Sequence, residues 1–258
     1  MKALIASACA GLFILSLTCG ARAGTFTGTW TARRDDGSQT VHLRTDYRAS
    51  SATGNEEWSE SGDVPLSQLR GVTPADFSSR GEHKRFDIVR DAGTLRADGW
   101  FTGGSASGSW TFVPSAAFSS ALEQRGVGRP NDKEQFELAI TDFKLATLDT
   151  LLHAGFERPS AGDLVSMSEH GVNDAYVSEM KNVALRPKSI AALVRMRDHG
   201  VSSAYIDGLK RLGFRPSADD LVRLMDHGVT IAFIERMRSH GYTRLSADDL
   251  IRLRDHGF

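Results

Sequence analysis

Cysteine is almost absent from this chain: Cys9 and Cys19 both fall within the first 23 of its 258 residues. Those residues have a basic start at Lys2, an apolar run from Ala3 to Leu17 and a small-residue end, Ala21-Arg22-Ala23, the pattern of a cleaved secretory signal. Cleavage near Ala23 would leave a mature chain without a thiol, which excludes a disulfide framework, thiolate metal ligation and a cysteine nucleophile. Cys19 does not read as a lipidation site, because Ser16-Leu17-Thr18 lacks the leucine three positions back and the small residue just before it. A bilayer-spanning run is also missing: the opening apolar stretch is about 15 residues against the roughly 20 required. The mature chain is therefore expected to be periplasmic or secreted, with no stable membrane insertion.

Charge of one sign is lacking too. The chain has 31 basic and 32 acidic side chains, for a net charge of −1. Residues 24–130 carry 12 and 13 of these and residues 131–258 carry 17 and 19, so neutrality belongs to each half separately. A nucleic-acid partner would need a basic surface. The phrase running from Leu221 to Ile234 loosely resembles a phosphate-binding helix-hairpin-helix, but Thr230 stands where that hairpin has its second glycine. Catalytic signatures are absent: there is no His-Glu-x-x-His, Gly-x-Ser-x-Gly, P-loop or dinucleotide fingerprint. Gly103, Gly104 and Gly108 read as hairpin residues. The expectation is no enzyme, no cofactor and no metal site.

All four tryptophans lie before residue 111, in a region of alternating apolar and polar positions, the period-two signal of strands. Phe86 and Ile88, then Leu95, Ala97 and Phe101, then Trp110 and Phe112 alternate around turns at Asp91-Ala92-Gly93 and Gly103-Gly104-Ser105. Two successive hairpins make an antiparallel meander, and five or six strands in a small sandwich or partial barrel are expected over residues 24–118. If Leu95, Ala97 and Phe101 face the core, Trp100 and Arg96 face water. Trp58, in Glu56-Glu57-Trp58-Ser59-Glu60, has no apolar sequence neighbour. Trp58, Trp100 and Arg96 are thus candidate binding residues for a sugar or a protein, unless the tryptophans cover a sheet edge or pack on the second half.

After a linker or helix at 119–130, tryptophan vanishes and a repeat fills residues 131–258. Arg215–Val229 and Arg244–Phe258 are nearly the same phrase, and the pairs beginning at His170, His199, His227 and His256 recur at intervals of 29, 28 and 29 residues. Ser160, Ser217 and Ser246 precede Asp163, Asp220 and Asp249 by three, a helix N-cap pattern, and Ser189 caps without the acid. Gly171, Gly200, Gly228 and Gly257 are expected to end the first helix of each unit in left-handed conformation. Residues 131–156 fit a divergent first unit, giving four helix pairs and a final single helix in an α-solenoid-like array. Equivalent histidines in neighbouring units should lie on the order of 10 Å apart, too far to share a zinc. His170, His199, His227 and His256 are therefore read as helix-end groups bonding the last carbonyls.

The phrase Leu-Val-Arg-Leu-x-Asp-His-Gly-Val, followed by Ala-(Tyr/Phe)-Ile and Gly-(Phe/Tyr), resembles repeats in bacterial exported proteins. It is similar to extensions on membrane metallopeptidases of the β-lactam-sensor (antirepressor) family. Val64-Pro65-Leu66 and Arg90-Asp91-Ala92-Gly93-Thr94 resemble the β segment found beside such repeats. The likeness covers most of residues 25–258 and implies a periplasm-facing accessory or sensory module. It does not bring protease activity, because the family's zinc motif and membrane spans are missing. The fold expected is α+β. The function expected is an exported, non-catalytic module that binds another envelope or periplasmic protein, with a glycan or cell-wall binding protein as the alternative.

Overall fold

The computed structural model describes residues 26–51, 54–183, 187 and 189–258. The expected signal, with both cysteines, lies outside them. Alternation in the first half produces one curled antiparallel sheet, an open half-barrel. Its strands are β1 (Thr27–Arg33), β2 (Thr40–Ser51), β3 (Gly54–Pro65), β4 (Leu69–Arg70), β5 (Arg80–Val89), β6 (Gly93–Thr102) and β7 (Ser105–Pro114). The order is β3-β2-β1-β7-β6-β5-β4, seven strands among the described residues rather than five or six. The expected meander β5-β6-β7 is present, but β1 and β7 also pair, Trp30 opposite Gly108, and so join two meanders into one sheet. The Thr102–Ser105 hairpin is closed by Gly103 and Gly104 with φ of 56° and 85°, the two positive values a tight right-twisted turn requires. On the inner face Trp30 donates its indole N–H to the Ser109 carbonyl at 3.0 Å. It lies over Gly99, where a β-carbon would come within 2.6 Å of its ring.

Helix α1 (Pro74–Phe77) covers one end of the sheet, and α2 (Ala116–Gln124) follows β7 directly, three residues earlier than expected. The repeats then form α3 (Asp132–Ile140), α4 (Leu145–His153), α5 (Ala161–Glu169), α6 (Asp174–Met180), α7 (Ile190–Asp198), α8 (Ser203–Arg211), α9 (Ala218–Asp226), α10 (Ile231–Ser239) and α11 (Ala247–Asp255). Among the described residues these are the expected four pairs plus one. First helices stack in sequence, α3 on α5, α5 on α7, α7 on α9 and α9 on α11, while α4 packs on α6 and α8 on α10. Helices of nine residues or fewer are too short to persist alone, so burial of Leu164, Leu193, Leu221 and Leu250 between neighbours holds the array together. Ser160, Ser217 and Ser246 form capping boxes with the expected aspartates, and Asn131 does so with Glu134. No helix among the described residues is long and apolar enough to cross a membrane.

The first repeat is built differently because it docks on the sheet. Where later units carry Leu164, Leu193, Leu221 and Leu250, it has Gln135, and where they carry Val165, Val194, Val222 and Ile251, it has Phe136. Gln135 is buried and donates to the carbonyls of Ala92 and Ser115 at 2.8 and 2.9 Å, while accepting from the Ser119 hydroxyl at 2.7 Å. Phe136 enters the inner face of the sheet, stacked on Trp110 at 5.4 Å and on Phe26 at 4.9 Å. The β5–β6 turn grips the same unit: Asp91 accepts the Leu145 N–H at the start of α4 at 2.9 Å, and Arg90 pairs with Asp142 at 3.2 Å. Asp142 has φ 55° at the place later units give to glycine. Buried side chains form one continuous cluster from Trp30 to Ile251.

Candidate functional site

Trp58 and Trp100 lie on opposite faces of the sheet, so the fold does not bring them together. Trp100 and Arg96 project from the outer face of β6, as alternation requires. Trp100 is 59% exposed and meets the edge of His83 at 5.1 Å. His83 and Arg85 both reach Asp98, at 3.1 and 3.2 Å. The Arg85 hydrogen bond is the main influence holding the Asp98 carboxyl below its usual range. A shallow depression of about 400 Å³ beside Trp100 is lined by Thr31, His42, Thr102 and Ser107 among others.

Trp58 has the apolar partners its sequence neighbours do not supply. The β2–β3 register sets it opposite Tyr47, and Phe136 of α3 approaches its ring edge-on at 6.3 Å. It is half-buried and forms part of a groove of about 690 Å³ between β3 and α3. Tyr47, Trp58 and Phe136 make the floor, while Glu57, Glu60, Glu137 and Glu169 stand around it with Lys133. Lys133 lies 3.9 Å from Glu137, one helical turn on. A second depression of about 310 Å³ shares Glu60, Ile140 and Thr141, so the groove continues along β3 toward Asp63 and Val64.

Glu60 sits where the two depressions meet, on the inner face beside Trp58, opposite Thr45. Its side chain has no hydrogen bond or ion pair among the described residues. Its carboxylate is open to groove water yet ringed by protein, and this desolvation raises its pKa above the usual carboxylate value. Phe136 and Glu60 are the site residues that sequence reading missed. The signal for Phe136 was present: an aromatic at the one repeat position that is otherwise Val or Ile.

The histidines correct one expectation. His170, His199, His227 and His256 are the C-cap residues of their helices, and Gly171, Gly200, Gly228 and Gly257 follow with φ of 69°, 69°, 63° and 84°. The turn satisfies the helix ends through the backbone, as in the Val172 N–H bond to the Met167 carbonyl at 2.8 Å. The imidazoles of His170, His199 and His227 do not serve their own last carbonyls and instead reach forward one unit. Nδ1 of His170 meets Asp198 at 2.7 Å, that of His199 meets Asp226 at 2.5 Å and that of His227 meets Asp255 at 2.8 Å. Tyrosines repeat the pattern in the second layer: Tyr176 donates to the Val201 carbonyl at 3.1 Å and Tyr205 to the Val229 carbonyl at 2.6 Å. The ladder ties units together.

Among the described residues no group of three or more His, Cys, Asp or Glu side chains is arranged to hold a metal ion. Comparison with protein-family models, curated proteins and solved structures finds no match to this chain.

Proposed function

We propose that this chain is an exported, non-catalytic protein-interaction module, acting in envelope sensing or regulation, and that its partner enters the groove beside β3. The observation that carries this reading is the edge position of β3: twelve residues pair with β2 on one side only, above an aromatic floor. An extended segment laid along such an edge gains main-chain hydrogen bonds, and its alternate side chains enter the groove. The carboxylates around the groove favour lysine or arginine in that segment, and the aromatic floor favours a cation over its rings. The resemblance of the repeats to extensions of β-lactam-sensor peptidases fits an accessory placed in the periplasm or secreted after cleavage near Ala23.

Replacing Lys133, which lines the groove from α3, with a photo-crosslinking residue tests this in cells. The expected result is an adduct to one envelope protein that disappears in Glu60→Lys; an adduct pattern indifferent to that change would sink the proposal. The exposed Trp100 supports a second reading, a glycan or cell-wall binding face on the outside of the sheet. It is tested by retention on peptidoglycan, which Trp100→Ala should abolish if that face is the site.

A further inference from the structure

Arg34, the residue after β1, is 8% exposed, and its Nε is enclosed with no hydrogen-bond partner among the described residues. Among the described residues no carboxylate pairs with it: the neighbouring Asp35 lies 3.8 Å from Arg33, and both of those side chains are largely in water. Nearby backbone groups are already engaged. The Arg34 N–H is bonded to the Gly104 carbonyl at 2.8 Å, and the Gly104 and Gly103 N–H groups donate to Phe77 and Ser79 at 2.7 and 3.1 Å. A guanidinium carries five N–H donors and no acceptor, so only acceptor groups can satisfy it. Buried arginines are paired as a rule.

Arg34 lines a mainly polar pocket of about 530 Å³ where the end of β1, the end of α1 and the β6–β7 turn meet. Ser78 and Ser105 line the same pocket, and neither hydroxyl has a partner among the described residues. We propose that this pocket binds a carboxylate group of a ligand, held on the Arg34 fork and the Ser78 and Ser105 hydroxyls. A planar two-oxygen anion matches the guanidinium geometry. Asp35 and Asp36 also line the pocket and offset the two arginines, so a singly charged carboxylate is favoured over doubly charged phosphate. The volume leaves room for the molecule that carries the carboxylate. This site lies apart from the groove and does not depend on the role proposed there.

The test is a titration of the full chain with sodium acetate, inorganic phosphate or sodium chloride at fixed ionic strength, following the ¹⁵N-labelled arginine Nε–H resonances. Acetate should move the Arg34 signal saturably, with phosphate at least about threefold weaker, chloride without effect, and Ser78→Ala about threefold weaker for acetate. Arg34→Met supplies a readout without ligand: losing an unpaired buried charge should leave the melting temperature equal or raise it by about 2–4 °C, and should abolish any rise with acetate. An Arg34 signal indifferent to acetate, or one that responds to chloride equally, overturns the proposal. So does tighter binding of phosphate, or an Arg34→Met variant that melts well below the parent, since that would mean Arg34 is paired within the chain.

Discussion

Phe136→Ala removes the side chain on which the two halves of the molecule meet. The ring is 3% exposed and lies within 4.9–6.3 Å of the rings of Phe26, Tyr47, Trp58, Trp110 and Phe112. Burying a phenylalanine is worth about 3 kcal/mol, and the two stacked pairs add about 1 kcal/mol or slightly more. Cavity data for Phe→Ala, about 3–5 kcal/mol, bracket the same value, so a loss of about 4 kcal/mol is expected. For a chain of this size that lowers the melting temperature by about 10 °C. Val222→Ala, at the equivalent position of the fourth unit, should cost about 2 kcal/mol. Because every tryptophan is in the first half, only Phe136→Ala should alter the near-ultraviolet circular dichroism and tryptophan emission. A loss under about 1 kcal/mol, or unchanged tryptophan signals, would refute the role given to Phe136.

Gln135→Leu installs the residue found at the same place in the four later units, yet it should destabilise by about 1–3 kcal/mol in urea unfolding, because the Ala92 and Ser115 carbonyls lose their donor. His199→Ala breaks one exposed rung and should cost less than about 1 kcal/mol, whereas Gly200→Ala at φ 69° should cost about 1–2 kcal/mol; thermal melts of the pair separate the ladder from the turn. Burial raises the Tyr176 hydroxyl well above its usual pKa and pushes Tyr205 up to about 12. The folded state therefore holds protons that the unfolded chain releases from about pH 10, so stability should fall as pH rises from there toward 12. Denaturation midpoints across that range should show the decline, and Tyr176→Phe with Tyr205→Phe should flatten it.

Local signals in this chain were legible and distant ones were not. The serine caps, the left-handed glycines and the four-and-a-half units follow from spacing, because each involves groups within a helical turn or a fixed repeat interval. The forward reach of the histidines could have been read from the same arithmetic, since Asp198 stands directly before His199, the next histidine of the repeat. It was missed because a helix end offered nearer acceptors. Trp58 appeared isolated because its sequence neighbours are acidic; its partners arrive from the strand register and from Phe136, 78 positions on. The β1–β7 pairing left no mark in the alternation, which records a strand's two faces but not its neighbour. Nothing in the sequence sets Arg34 apart from other arginines; its enclosure comes from the meeting of β1, α1 and the glycine hairpin.

Backbone amide exchange on the full chain, with and without an extended octapeptide alternating arginine and valine, tests most directly where a partner binds. Strand addition at the groove should slow exchange within residues 58–64 of β3, and the Glu60→Gln variant should bind about tenfold more weakly, the effect of losing one partly desolvated charge. A peptide alternating glutamate and valine should not bind. Protection appearing around Trp100 on β6 instead, or equal protection by both peptides, would contradict the assignment of the β3 groove as the binding site.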